Sequence, residues 1–362
     1  MRILTIDIGA GTQDILLFDS SQPLENAIQL IMPSPTQIVA AQMRQATASR
    51  EPILLFGVTM GGGANHGALK DHLAAGLSVY ATPEAAQTFN DDLEHVASWG
   101  VKIVSEDEAR KVKDVTRIET RDLDLETIAS ALKPFGVDPH YDGVGVAVLD
   151  HGAAPPDVSD RIFRFQHLRR VVEKENNLLA FAYMSNEIPK YLTRMKAVVK
   201  TYNLKAPLLL LDTGAAAAIG SLEDREVARH PHRLLVNLGN SHTLAFHMDG
   251  NYILGLMEHH TGGVTRHSLD GYLEKLSRGV VESDEVFNDG GHGSFVIRAK
   301  RGRPFLSVTG PRRILMRDSR LNPYFAAPYG DMMLTGCFGL LRAFAHKVPA
   351  WREEIEEALK KG

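Results

Sequence analysis

The chain has 362 residues, with 40 basic against 44 acidic, a formal charge of -4 at pH 7 and 44% hydrophobic content. That length suits two domains, or one large one, with a core that needs no staples, and the slight acidity makes no electrostatic case for a nucleic-acid partner. The single Cys337 excludes an intramolecular disulfide, a CxxC redox pair and any iron–sulfur cluster ligated only by cysteines of one chain.

Along the chain no apolar stretch approaches the roughly 18 to 20 residues that span a bilayer, and the first residues begin a strand with no signal-peptide core. A cytoplasmic protein without a membrane partner is therefore expected. Residues 3–19 form the first element, two apolar runs joined by the turn Gly9, Ala10, Gly11, Thr12, Gln13 and Asp14. Glycines between two strands let the backbone curl until several N–H groups point at one anion, which makes the turn a candidate phosphate grip. Asp7, at the end of the first run, is placed to hold magnesium, through water because that ion keeps most of its hydration shell. An ordinary hairpin with a polar tip is the plainer alternative.

The next expected elements are a strand over 27–32, a helix over 36–48 introduced by Pro33-Ser34-Pro35, and a strand over 52–58. A glycine-bearing loop with Gly61, Gly62, Gly63 and His66 follows, then a helix near 68–75. Those glycines either admit a ligand closely or only turn the chain. Residues 99–137 are more charged and alternate strand and helix, which suggests a small subdomain inserted at about 65–135. A buried strand over 141–149 ends in Asp150-His151-Gly152. Strand ends of open α/β sheets often face ligands, so His151 is a candidate for substrate contact, with an ordinary loop histidine as the alternative.

Residues 167–203 read as mainly helical, broken near Pro189. The strand Leu208-Leu209-Leu210-Leu211 leads into Asp212-Thr213-Gly214-Ala215-Ala216-Ala217-Ala218, an alanine-rich helix whose thin face permits close packing at an interlobe crossing. Residues 233–249 can then be laid on 3–19 without a gap. Asn237 meets Asp7, Gly239 meets Gly9 and Asp249 meets Asp19, with Gly239, Asn240, Ser241, His242 and Thr243 forming the second turn. The likeness is one of pattern, as expected for an old duplication. Two such lobes facing each other would clamp one nucleotide's phosphates from both sides.

Further expected elements are a strand over 252–256, a helix near 268–276, a turn at Gly290-Gly291-His292-Gly293, a strand over 305–308 running into Thr309, Gly310, Pro311, Arg312 and Arg313, a helix over about 332–346 and a charged amphipathic helix over 350–361.

Taken together, the order of hairpin, thin helix, hairpin, glycine turn and closing helix resembles the actin-like ATPase superfamily, which includes sugar kinases, heat-shock chaperones and acyl-dehydratase activators. The first phosphate motif of that superfamily, DxGxGTxD, is matched by Asp7, Gly9, Gly11, Thr12 and Asp14. The second departs from the pattern, since Asn237 stands where an aspartate is usual and brings no charge. Ser307-Val308-Thr309-Gly310-Pro311 is similar to the adenosine motif, with proline in place of a second small residue. Within the superfamily, residues 60–63, 309–313 and 329–335 resemble a little-characterised prokaryotic family loosely labelled pyruvate formate-lyase activating. One cysteine does not supply the cysteine triplet that radical activators use to hold a cluster.

The resemblance implies an α/β fold of two duplicated, ribonuclease H-like lobes, each with a mixed five-stranded sheet, around an interlobe cleft. The lobes would span residues 1–225 and 226–362, with the last helices packing back on the first. It also implies ATP and magnesium as cofactors, with phosphates held by residues 9–14 and 239–243, the adenosine end of the nucleotide by residues 309–312, the metal by Asp7, and the attacking group oriented or deprotonated by Asp212. Capping of the following helix is the plainer role for Asp212. A kinase needs an acceptor pocket beside the terminal phosphate, for which Gly61, Gly62, Gly63, His66 and His151 are the candidates. One rival function is a nucleotide-dependent switch read by a protein partner. A second is a metal-dependent hydrolase, suggested by Glu258-His259-His260 and His267, although there is no HExxH or HxH pattern.

Overall fold

The computed structural model describes residues 1–361. Its first hairpin forms as β1 (Arg2–Ile8) and β2 (Thr12–Asp19), followed by β3 (Ile28–Pro33). Four short strands come next: β4 (Ile53–Gly57), β5 (Val79–Ala81), β6 (Val101–Ile103) and β7 (Thr116–Thr120). The chain then returns with β8 (Gly143–Val148), β9 (Ala182–Met184) and β10 (Leu208–Leu211). The second half holds β11 (His232–Leu238), β12 (His242–Asp249), β13 (Tyr252–His260), β14 (Gly293–Val296), β15 (Phe305–Thr309) and β16 (Tyr324–Phe325).

One sheet has the order β3-β2-β1-β8-β10-β9 and another the order β14-β13-β12-β11-β15-β16. Within them, β3-β2-β1-β8-β10 and β13-β12-β11-β15-β16 are equivalent. The first three strands of each are antiparallel neighbours and the last two run parallel to the first. This is the expected arrangement of two duplicated, ribonuclease H-like lobes. Each sheet carries one strand more than the five expected, on opposite edges: β9 in the first and β14 in the second. The pairing register is duplicated too, because Asp7 faces Asp14 across β1 and β2 while Asn237 faces Leu244 across β11 and β12.

The parallel sheet β6-β5-β4-β7 lies between β3 and β8 in sequence and has its own apolar core. It starts with β4 rather than near residue 65, and Val39, Ala40 and Met43 of the helix Pro35–Ala48 pack into that core. The helix Leu125–Leu132 instead buries Ile128 and Leu132 against Leu4, Ile6 and Val146 of the first lobe. Among other differences, the helix Gly63–Ala74 begins within the glycine loop and leaves Gly61 and Gly62 before it, β9 occupies part of the stretch expected to be helical, and β13 runs four residues past the expected strand.

The thin helix Thr213–Ser221 crosses the closing helix Thr335–Lys347 backbone to backbone. Glycine is required on both sides: a Cβ on Gly220 would overlap the Thr335 carbonyl, and one on Gly339 would overlap the Ala216 carbonyl. Phe344 and Leu340 of the closing helix also lie against Gly145 of β8, so the end of the chain packs on the first sheet. One apolar cluster consequently runs through both lobes, from Ile3 and Phe18 to Leu235 and Phe246 by way of Phe338 and Leu341.

Candidate functional site

Two cavities lie where the lobes meet. The smaller, about 60 Å³, is lined by Asp7, Thr12 and Asp14 of the first hairpin, by Asn237, and by Thr309, Gly310 and Pro311 after β15. The larger, about 610 Å³, runs towards the inserted sheet and is lined by Gly61, Gly62, Gly63, His66, His151, Ser241 and His242 among others. Gly9, Ala10, Gly239 and Asn240 border both. Between the cavities the two turns touch, since a Cβ on Gly11 would overlap the Asn240 side-chain amide.

The turns are built alike. Gly9 N–H donates to the Thr12 carbonyl at 2.9 Å, and Gly239 N–H donates to the His242 carbonyl at 3.0 Å. These two N–H groups therefore close their own turns, leaving the intervening residues to face a ligand. Directly opposite residues of antiparallel strands have adjacent side chains, which sets the Asp7 and Asp14 carboxyls side by side. Asp7 accepts a hydrogen bond from Thr213 Oγ1 at 2.5 Å, while the buried Oδ1 of Asp14 has no partner. Burial pushes Asp7 up to about 7 despite the Thr213 hydrogen bond, and burial with the neighbouring Asp7 charge pushes Asp14 up to about 8. Two carboxyls that resist ionising together are ready to accept a hard cation, and oxygen donors are what magnesium takes.

A second polar cluster lies on the other side of the turns. Arg164 is fully buried and bridges the lobes, its Nη1 2.6 Å from Asp212 at the end of β10 and its Nη2 2.8 Å from Glu258 on β13. Burial alone would raise Glu258, but Arg164 and His292 hold it well below the usual carboxylate range. Around Glu258 stand four histidines. His242 and His260 are register partners across β12 and β13, His260 Nε2 is 3.3 Å from His292 Nε2, and the His151 and His242 rings meet at 5.3 Å between centroids. Burial is the main reason that His151 is pushed down to about 3, and it also lowers His242 and His260.

The residues expected from sequence thus separate into groups. Asp7, Gly9, Ala10, Thr12, Asp14, Gly239, Asn240, Thr309, Gly310 and Pro311 gather at the small cavity, and Gly61, Gly62, Gly63, His66, His151, Ser241 and His242 on the large one. Gly11 lies at the contact between turns. Gln13, Thr243 and Arg312 line neither cavity: Gln13 donates to the Pro33 carbonyl, Thr243 pairs with Thr261, and Arg312 is exposed. Asp212 lines neither as well. Its Oδ1 accepts from the N–H groups of Gly214 and Ala215, and its Oδ2 from Arg164, so it caps the thin helix and anchors the buried arginine.

Two important groups were not marked out by the sequence. Arg164 reads as one of several charged positions on a helix, and His292 as part of a glycine turn. Only the pairing of Glu258 with Gly293 across β13 and β14, closed by His292 N–H donating to the Glu258 carbonyl at 2.9 Å, shows where His292 belongs.

Among solved structures, the chain is similar to the ethanolamine utilization protein EutJ of Carboxydothermus hydrogenoformans, with 11% identity, 94% of this chain and 89% of that one covered, and a TM-score of 0.31. It is also similar to an exopolyphosphatase of Cytophaga hutchinsonii, at 10% identity, covering 86% of this chain and 66% of that one with a TM-score of 0.29. A third similarity is to the ROK hexokinase of Thermus thermophilus, at 13% identity, covering 100% and 87% with a TM-score of 0.23. No curated protein matches the chain. No helix among the described residues is long and apolar enough to cross a membrane. Residues 60–315 match the family described as "Putative pyruvate format-lyase activating enzyme (DUF1786)", and the chain belongs to that family.

Proposed function

We propose that the protein binds ATP with magnesium between its two hairpin turns and acts as a slow ATPase or as a kinase for a small acceptor. The observation that carries this reading is the meeting of the duplicated turns at Gly11 and Asn240, beside the paired carboxyls of Asp7 and Asp14. The unpartnered Asp14 oxygen and the hard oxygen donors fit magnesium, which when bound would neutralise charge on the phosphate oxygens. Asp7, with Thr213 holding its carboxylate, would position the ion's water shell.

Ligand cavities are commonly about 300 to 1,000 Å³, so the small cavity admits a nucleotide only with the lobes further apart. The large cavity is of acceptor size and adjoins both turns, which favours a kinase over a switch that needs no second pocket. Asp212 is engaged by Arg164 and by the N-terminus of the thin helix, which leaves it without the reach of a base. Isothermal calorimetry with ATP and ADP, with and without magnesium, tests the reading on wild type and Asp7→Ala. Wild type is expected to bind in a magnesium-dependent way and the variant at least about tenfold more weakly. Absence of nucleotide binding by wild type sinks the proposal.

A further inference from the structure

We propose that His151, His242 and His292 hold a divalent transition-metal ion at the junction of the lobes, at a site separate from the Asp7 position. One ring nitrogen from each of these residues lies within 4.8 Å of the other two. The rings converge from three places: His151 from the loop after β8, His242 from the second turn and His292 from the residue before β14. Small side-chain rotations bring such a set to coordination distance. Zinc binds imidazole nitrogen at about 2.0 to 2.1 Å, so two nitrogens on a tetrahedral ion stand about 3.3 Å apart. His260 Nε2 is 3.3 Å from His292 Nε2 but stands outside the set of three, so it borders the ion's position without completing the ligand set.

The surroundings are those of a metal site. Glu258 Oε2 lies 3.2 Å from His292 Nδ1, outside hydrogen-bond alignment, and a small rotation of the ring lets that carboxylate accept a hydrogen bond from Nδ1 and turn the Nε2 lone pair towards the other rings. Glu258 is itself held by Arg164. His242 Nε2 is buried without a hydrogen-bond partner, an arrangement that costs free energy unless something accepts the lone pair or takes the proton. Imidazoles crowded together have little to offer one another and much to offer a cation. An all-imidazole set selects zinc, nickel, copper or iron over magnesium, whose ligands are oxygens.

The position also says what the ion does. His151, His242 and His260 line the large cavity, so a carboxylate or phosphate oxygen of a ligand there can reach the ion. Because His151 belongs to one lobe and His242 and His292 to the other, binding of the ion ties the lobes together.

The test uses the full chain made without a histidine tag. Wild type should carry, or take up from added zinc, one equivalent per chain by elemental analysis, and the cobalt-loaded protein should show the visible absorption of a tetrahedral ion. His242→Ala and His292→Ala should each lose at least about tenfold in zinc affinity. So should His151→Ala, which lies on a loop and keeps the test open if the other two fail to fold by circular dichroism. His267→Ala, on an exposed position, should bind as wild type does. Asp7→Ala should also keep zinc, which separates this site from the nucleotide reading. Sub-stoichiometric zinc in wild type, or unchanged affinity in the His151→Ala variant, overturns the proposal.

Discussion

The two hairpins share a backbone and differ in what they carry on it. In the first, the side chains that matter are Asp7 and Asp14, paired across β1 and β2, while Thr12 and Pro33 occupy the neighbouring pair across β2 and β3. In the second, the positions of the acids hold Asn237 and Leu244, and the neighbouring pair is His242 and His260. Chemistry has moved over by one strand pair. The same glycine turn therefore presents hard oxygen donors on one lobe and imidazoles on the other, and these select different cations.

Removing Arg164, the residue that bridges the two lobes, is the harshest way to break this contrast. Arg164→Met leaves the Asp212 and Glu258 carboxylates buried without their partner, and breaking a buried pair in this way costs about 3 to 5 kcal/mol. Chemical denaturation should show that loss, and adding Asp212→Asn with Glu258→Gln should recover part of it. The helix crossing that holds the lobes in register comes next. Gly220→Ala drives a methyl group into the Thr335 carbonyl and should cost about 1 to 3 kcal/mol by the same measurement.

Asp14→Asn removes the charge of one acid of the first hairpin, at a position that is uncharged Leu244 in the second. Calorimetry should show magnesium-dependent ATP affinity falling about tenfold, or about 1.4 kcal/mol, while zinc uptake stays unchanged. The acid pair also sets a pH dependence. Asp7 and Asp14 are raised from an ordinary 3.8 to about 7 and about 8 in the folded chain, so the folded state holds protons that the unfolded state has released. Their contribution to stability is full below the unfolded value of 3.8, declines as pH rises from there, and is wholly lost once pH has passed about 7 to 8. Without divalent cations, the thermal midpoint of wild type should fall over that window, and Asp14→Asn should flatten the fall. The smallest effect expected is that of Thr213→Val, which removes one hydrogen bond to Asp7 and should cost about 0.5 to 1.5 kcal/mol in denaturant midpoints.

Much of the frame was legible along the chain. The hairpins, the alanine-rich helix and the strand leading to Thr309 are local patterns, set by strand alternation, glycine placement and helix propensity within a few residues. The inserted sheet was only partly legible, because β5, β6 and β7 are three to five residues long and are stabilised by parallel pairing with distant strands. At the site, Glu258 and His260 stood out as neighbours in sequence, and His267 with them. Yet His267 is exposed on a helix, and the partner that joins the cluster is His292.

What the sequence by itself determined is the duplicated backbone: two glycine turns between apolar strands, with the acids on the first. That follows because a turn and its flanking strands are specified by adjacent residues. Only the tertiary structure decided which side chains share a cavity. Asp212 went to a buried arginine from another helix, and four histidines spread over residues 151 to 292 came to one place. The physical reason is register: pairing of β12 with β13 and of β13 with β14 sets His260 against His242 and His292 against Glu258, contacts that no local spacing encodes.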